Sequence, residues 1–141
     1  MNQETLTRLV NAAMQAREKS YAPYSGFAVG AALLTDDGVV YTGANIENAA
    51  HTPTVCAERT AFFTAIHNGA RRFSAIAVVG GPTQKEIDSF CPPCGVCRQV
   101  MSEFCNGDFK ILLCDGKQTK ALTLDQLLPE RFVLRESEAE S

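Results

Sequence analysis

Thr54-Val55-Cys56-Ala57-Glu58-Arg59 and, further on, Pro93-Cys94-Gly95-Val96-Cys97-Arg98 are the two stretches around which the rest of the chain is arranged. Cys94 and Cys97 stand three apart, so on the first turn of a helix both sulfurs fall on one face. Cys56 opens a second helix, read from the run 57–68 that follows it. Three thiols, with Glu58 two residues after the first, are a donor set for zinc with a working base beside it. Three protein ligands leave the ion a fourth position for water, which is the mark of a catalytic rather than a structural site. A lone Cys-x-x-Cys carries little weight, but the two halves together are specific.

Outward from these stretches, the chain alternates helices and strands. Leu6, Leu9, Val10 and Ala13 recur at helical spacing, so 4–19 reads as an amphipathic helix. Tyr21 to Gly26 is a loop. Residues 27–35 read as a strand, Asp36-Asp37-Gly38 as a hairpin turn, and 39–44 as the returning strand. A polar loop containing Asn45-Ile46-Glu47-Asn48 and Pro53 leads to the first cysteine helix, which Gly69 closes. Residues 73–81 are almost wholly apolar, as expected of a strand covered on both faces. After the second cysteine helix, 94–105, come a strand at 109–114, a further one at 119–122, and a short helix at 124–128 stopped by Pro129. This order predicts an α/β fold in three layers, α/β/α, around a mixed, mostly parallel five-stranded sheet. Both cysteine helices follow strands, so their N-termini should meet at one sheet edge, where such folds place sites.

The chain has 141 residues, 45% apolar and 21% charged, which suits one soluble domain over 1–141 with a polar tail at 135–141. Net charge is −3 and no basic stripe is visible, so nucleic acid is a poor partner. Residues 1–10 lack the apolar core of a signal peptide, and no stretch is long enough to span a membrane. The expectation is a cytoplasmic protein with reduced thiols, so the six cysteines argue for metal rather than disulfides.

Three thiolates around Zn²⁺ sum to −1, and something must offset that excess. Helix N-termini at Cys56 and Cys94 and the guanidinium of Arg59 are the candidates. Glu58 is placed to move protons between water and a substrate. Cys91 creates a second Cys-x-x-Cys with Cys94 and opens two rival readings, a saturated four-sulfur zinc site and a thioredoxin-like redox pair. Neither explains Glu58, and Cys91 is read as a bystander. Cys105 and Cys114 read as small core residues, His67 as surface, and His51 as close to the site in sequence but not needed as a ligand.

The pattern of a ligand, one residue, Glu, and then Pro-Cys-x-x-Cys matches the recorded signature of zinc deaminases. With the stretches 24–33, 45–49, 56–60, 93–99 and 127–129 added, the chain resembles the small homotetrameric cytidine deaminases of the cytidine/deoxycytidylate deaminase family, over 21–132. The resemblance implies one Zn²⁺ per subunit held by Cys56, Cys94 and Cys97, with Glu58 as proton shuttle. It implies Asn45 and Glu47 on the sugar hydroxyls, Phe27 against the pyrimidine, Ala57 at the substrate, and Phe132 reaching a neighbouring subunit's site. Two departures stand out: His51 where many relatives have Tyr, and Val133 where they often have Gly. The implied reaction is hydrolytic deamination of cytidine and 2′-deoxycytidine in pyrimidine salvage. The rivals are a deaminase of a modified cytosine nucleoside such as blasticidin S, and a non-enzymatic zinc or thiol module.

Overall fold

A computed structural model of the chain describes residues 1–134; the polar tail read at 135–141 lies outside the described residues. The described elements run α1 (Gln3–Arg17), β1 (Phe27–Thr35), β2 (Val40–Ala44), α2 (Ala57–His67), β3 (Phe73–Pro82), α3 (Gly95–Phe104), β4 (Lys110–Cys114), β5 (Thr119–Thr123) and α4 (Leu124–Leu127). Each end has a local cause. Asn2 caps α1, its Oδ1 accepting from the Thr5 amide at 2.8 Å. Gly38, at φ +91°, turns the β1–β2 hairpin, and Gly69, at φ +94°, follows the last turn of α2. Thr123 and Gln126 form a reciprocal capping box on the short α4.

The five strands form one sheet in the order β2-β1-β3-β4-β5. Side chains alternate between its faces. Leu33, Ile76, Val78, Ile111 and Leu113 pack with Ala61, Phe62 and Ala65 of α2 and with Met101 of α3. The residues between them, Ala32, Leu34, Ala75, Ala77, Val79 and Leu112, pack instead with Leu9 and Ala13 of α1. That period-two switch makes the three layers, with α1 on one face and α2 and α3 on the other. Phe62 centres the larger core, its ring edge-on to Phe73 with centroids 5.1 Å apart.

The sheet is mixed, as read, but the expectation of a mostly parallel one is corrected. Only β3 and β4 pair in parallel; β1–β2, β1–β3 and β4–β5 are antiparallel. The cause is strand insertion. β2 and β3 are both antiparallel to β1, so they run parallel to each other and α2 joins them as a crossover. They do not touch, because the hairpin has placed β1 between them. The short turn before β5 forces the other antiparallel edge.

Small residues let the helices approach. A Cβ on Gly43 of β2 would lie 2.5 Å from both the Ala57 carbonyl and the Ala61 amide of α2. Gly43→Ala must therefore push the first turns of α2 off the sheet. A loss of roughly 1–3 kcal/mol is the usual cost of such overpacking, and thermal unfolding should show a clearly lower midpoint. An unchanged midpoint would mean that the contact relaxes freely.

Candidate active site

The polar loop after β2 is held between two other segments. Ile46 bridges Tyr21 on one side and Val55 on the other. Its amide donates to the Val55 carbonyl at 3.0 Å, and the Glu47 amide donates to the Tyr21 carbonyl at 2.9 Å. This places Asn45 and Glu47 alongside the residue that precedes Cys56. Cys56 then caps α2 with no side-chain cap bond, and Cys94 caps α3 in the same way. Both helix N-termini therefore keep free amides and a positive end facing the sulfurs.

The sulfurs converge. Cys56 and Cys94, 38 residues apart in sequence, bring Sγ atoms to 3.9 Å, and Cys94 and Cys97 bring theirs to 3.5 Å. Two sulfurs about 2.3 Å from one tetrahedral zinc are separated by about 3.8 Å, so the donor set fits that ion. Among the described residues, Cys56, Cys94 and Cys97 form a group able to hold a metal, with ligand atoms all within 4.8 Å of one another. Cys91 is not part of it. Its sulfur packs on Gly80 of β3, 2.7 Å from where a Cβ would stand, and burial pushes its thiol up to about 11. Neither the four-sulfur site nor the redox pair gains support from that placement. His51 is likewise outside the group. It sits at φ +64°, its ring 6.5 Å from that of Tyr24, in a hollow of about 270 Å³ that also contains Glu47.

The electrostatics follow from the crowding. A hydrogen bond from Cys97, then one from Arg59, holds the Cys56 thiol down at about 5. Cys97 is pushed well above the ordinary thiol range by its bond to Cys56 and by burial. Arg59 Nη2 donates to Cys56 Sγ at 3.4 Å, while its Nε is buried with no partner among the described residues. A guanidinium with a buried donor to spare suits an anionic cluster. Glu58 is 4% exposed, and burial raises its carboxyl to about 7. A carboxyl there is poised to accept and return protons at neutral pH.

Asn45 and Glu47 are already heavily engaged. Asn45 Oδ1 accepts from Ser20 Oγ at 2.6 Å and from the Val29 amide at 2.9 Å, and Nδ2 donates to the Phe27 carbonyl at 2.8 Å. Glu47 Oε1 accepts from the Tyr24 and Ser25 amides at 3.0 and 3.1 Å, and Oε2 accepts from Ser25 Oγ. The Ser25 hydroxyl, followed by the two amides, lowers the Glu47 carboxyl. Sequence reasoning did not single out Ser20 or Ser25, because a loop serine gives no periodic signal; Gly26, at φ +66°, marks only the turn that aims Ser25. Phe27 begins β1 and is 40% exposed, its carbonyl accepting from Asn45. Ala57 is fully buried. Phe132 is 67% exposed, with its carbonyl accepting from Gln99 Nε2 at 3.4 Å.

Residues 3–113 match the model of the cytidine and deoxycytidylate deaminase zinc-binding region. A cytidine deaminase of Sporosarcina psychrophila is 48% identical over 126 residues, which are 89% of each chain. The 1.6 Å crystal structure of cytidine deaminase from Burkholderia pseudomallei superposes with a TM-score of 0.82 at 44% identity, covering 94% of this chain and all of that one. A blasticidin-S deaminase of Bacillus cereus is more distant, 34% identical over 107 residues, or 74% of this chain and 76% of its own. These likenesses run through both cysteine stretches and nearly the whole sheet, and the chain belongs to the cytidine and deoxycytidylate deaminase family.

Proposed function

We propose that the protein is a zinc-dependent hydrolase that converts cytidine and 2′-deoxycytidine, with water, to uridine and 2′-deoxyuridine, releasing ammonia, and that it serves pyrimidine salvage in the cytoplasm. Residues 1–141 act as one deaminase domain. The observation that carries this is Glu58, a buried carboxyl at the mouth of a three-sulfur cluster and not one of its members. Cys56, Cys94 and Cys97 hold the zinc. When bound, the ion supplies a Lewis acid that makes water a nucleophile at neutral pH. Glu58 takes a proton from the attacking water and passes it to N3 of the ring as C4 is attacked; it then takes the proton of the new C4 hydroxyl and passes it to the amine, which leaves as ammonia while the C4 carbonyl forms. Its raised proton affinity suits both directions of transfer. Arg59 offsets the thiolate charge, Phe27 packs on the pyrimidine, and the Ala57 backbone lies at the ring.

The sugar reading rests on what Asn45 and Glu47 have left. Both acceptor positions of Asn45 Oδ1 are used and one of two Nδ2 hydrogens is used, so one donor remains. Glu47 Oε2 keeps one acceptor position. One donor and one acceptor match a single hydroxyl, which donates and accepts at once. A ribose and a 2′-deoxyribose both offer that, which supports both substrates. The same pair favours cytidine over blasticidin S. Incubating the pure protein with cytidine, and in parallel with deoxycytidine, cytosine, CMP and blasticidin S, should release ammonia from the first two foremost. Turnover of blasticidin S alone would make the rival reading correct. In the same assay Glu58→Gln, nearly isosteric, should keep its zinc and lose at least the roughly 10²–10⁴-fold of a general acid–base group. Near-normal turnover, or loss of zinc, would remove Glu58 from this role.

The metal assignment has its own test. Cys91→Ser should retain one zinc per chain, whereas Cys56→Ala, Cys94→Ala or Cys97→Ala should lose it, as metal analysis after gel filtration would show. An emptied Cys91→Ser would restore the four-sulfur site.

A homotetramer with sites at subunit interfaces is the assembly we propose. Phe63 on α2, Val96 on α3 and Phe132 are all more than half exposed, apolar side chains that an interface would cover. Phe132 is assigned to a neighbour's site. Phe132→Ala should then raise KM with zinc content intact, and light scattering should give the mass of four chains. A fully active monomer would contradict both statements.

A further inference from the structure

Arg98 lies directly after Cys97 and is not needed as a ligand, yet its hydrogen bonds surround the other ligand of that pair. Its backbone amide donates to the Cys94 carbonyl at 3.0 Å. Its side-chain Nε donates to the Pro93 carbonyl at 2.7 Å. The peptide groups on both sides of Cys94 are thus held by one residue. No side-chain cap bond fixes Cys94 at the start of α3, and the Pro93 before it is fully buried.

The same guanidinium reaches away from the metal. Its Nη1 donates to the carbonyl of Leu127, the last residue of α4, at 2.7 Å. Gln99, the next residue along α3, donates to the Phe132 carbonyl at 3.4 Å. Adjacent side chains of one helix turn therefore hold both ends of 127–132. A planar fork with donors pointing two ways can bridge two carbonyls rigidly, which an ammonium on a flexible stem cannot.

We infer that Arg98 is a positioning residue: it locks Cys94 into the sulfur cluster and ties that lock to the C-terminal segment that carries Phe132. The inference rests on Cys94 being a zinc ligand, as proposed above. Loosening the fork lets the Pro93–Cys94 peptide turn, so zinc is held less firmly. It also frees 127–132, so substrate is held less firmly. The competing explanation is that Arg98 supplies only positive charge near the thiolates.

Lysine separates the two, since it keeps the charge and loses the fork. Zinc content and turnover of the unaltered protein are measured first, so failure of the functional reading is seen independently. Folded Arg98→Lys, checked by circular dichroism, should give up zinc to a chelator about 10–100-fold faster, the usual loss when a group behind a ligand is removed. In the cobalt-substituted protein its thiolate-to-metal bands should shift, and KM should rise. Gln99→Ala should raise KM alone, with zinc release and cobalt bands unchanged. If Arg98→Lys is not obtained folded, Arg98→Gln, which loses charge and fork together, is compared with the unaltered protein at low and high salt: release still faster at high salt supports the fork, whereas a difference that salt removes would overturn the inference in favour of charge alone. Release rate and cobalt bands like those of the unaltered protein in the Lys or Gln variant would overturn the inference. So would equally fast release from Gln99→Ala, which would indicate general loosening of α3.

Discussion

Three thiols from two distant segments can share one cation only if their backbones are held to within a fraction of an ångström, and the fold depends on meeting that demand. The sulfurs stand 3.5 and 3.9 Å apart, so no thiol has room to turn away without leaving the cluster. Neither cysteine that opens a helix is fixed by a cap bond. Their positions come instead from where α2 and α3 lie on the sheet. Both helices pack their apolar stripes on one face, over Leu33, Ile76, Val78, Ile111 and Leu113. Gly43 lets α2 sit directly on β2, and Gly80 makes space for Cys91 in the loop that leads to Cys94. The core and the metal group are thus parts of one packing problem.

On the other side of the sheet, α1 is more than a cover. Arg17 at its end donates to the carbonyls of Ala28, Gly81 and Pro82, at 2.9, 3.1 and 2.7 Å. Those carbonyls belong to the start of β1 and the end of β3, the end of the sheet from which Phe27 and the cysteine loop depart. The loop after α1 adds Ser20 to Asn45 and Ser25 to Glu47. An N-terminal helix thereby orders these strand ends from behind, and Asn45 and Glu47 are positioned by loops that are themselves tied down.

The sequence made visible whatever is periodic or bounded by a turn residue. Leu6, Leu9, Val10 and Ala13 mark α1, and Asp36-Asp37-Gly38 marks the hairpin, because those signals act within a few residues. The three-cysteine spacing was legible for the same reason. Pairing direction was not. Whether β2 and β3 touch depends on β1 lying between them, a fact about strand order that no local pattern carries. Nor could sequence say how much of Asn45 or Glu47 is left for a ligand. Ser20, Ser25, Tyr24, Phe27 and Val29 consume most of it through contacts 16 to 25 residues away in sequence. Arg98 was quoted in a motif but given no role, since its carbonyl partner in α4 is 29 residues distant.

The neighbours of Cys56 show why charge, rather than shape alone, decides what this site does. Glu58 and Arg59 leave the same helix turn in opposite electrostatic circumstances. Burial raises the Glu58 carboxyl, and the negative charge of Cys56 raises it further. Its own backbone amide and the Cys97 thiol lower it again, and Arg59, bonded to the Cys56 sulfur, adds a weaker attraction. If burial acted alone, Glu58 would be driven toward its protonated form, and a carboxyl that is always protonated cannot accept a proton from water. If Glu58 were exposed, its affinity for protons would fall toward that of a surface carboxylate, and it would be slow to give one to a leaving amine only because it seldom held one. A carboxyl that exchanges protons with water needs an affinity between those limits. The first turn of α2 provides it by deep burial, held in check by the Glu58 backbone amide and the Cys97 thiol.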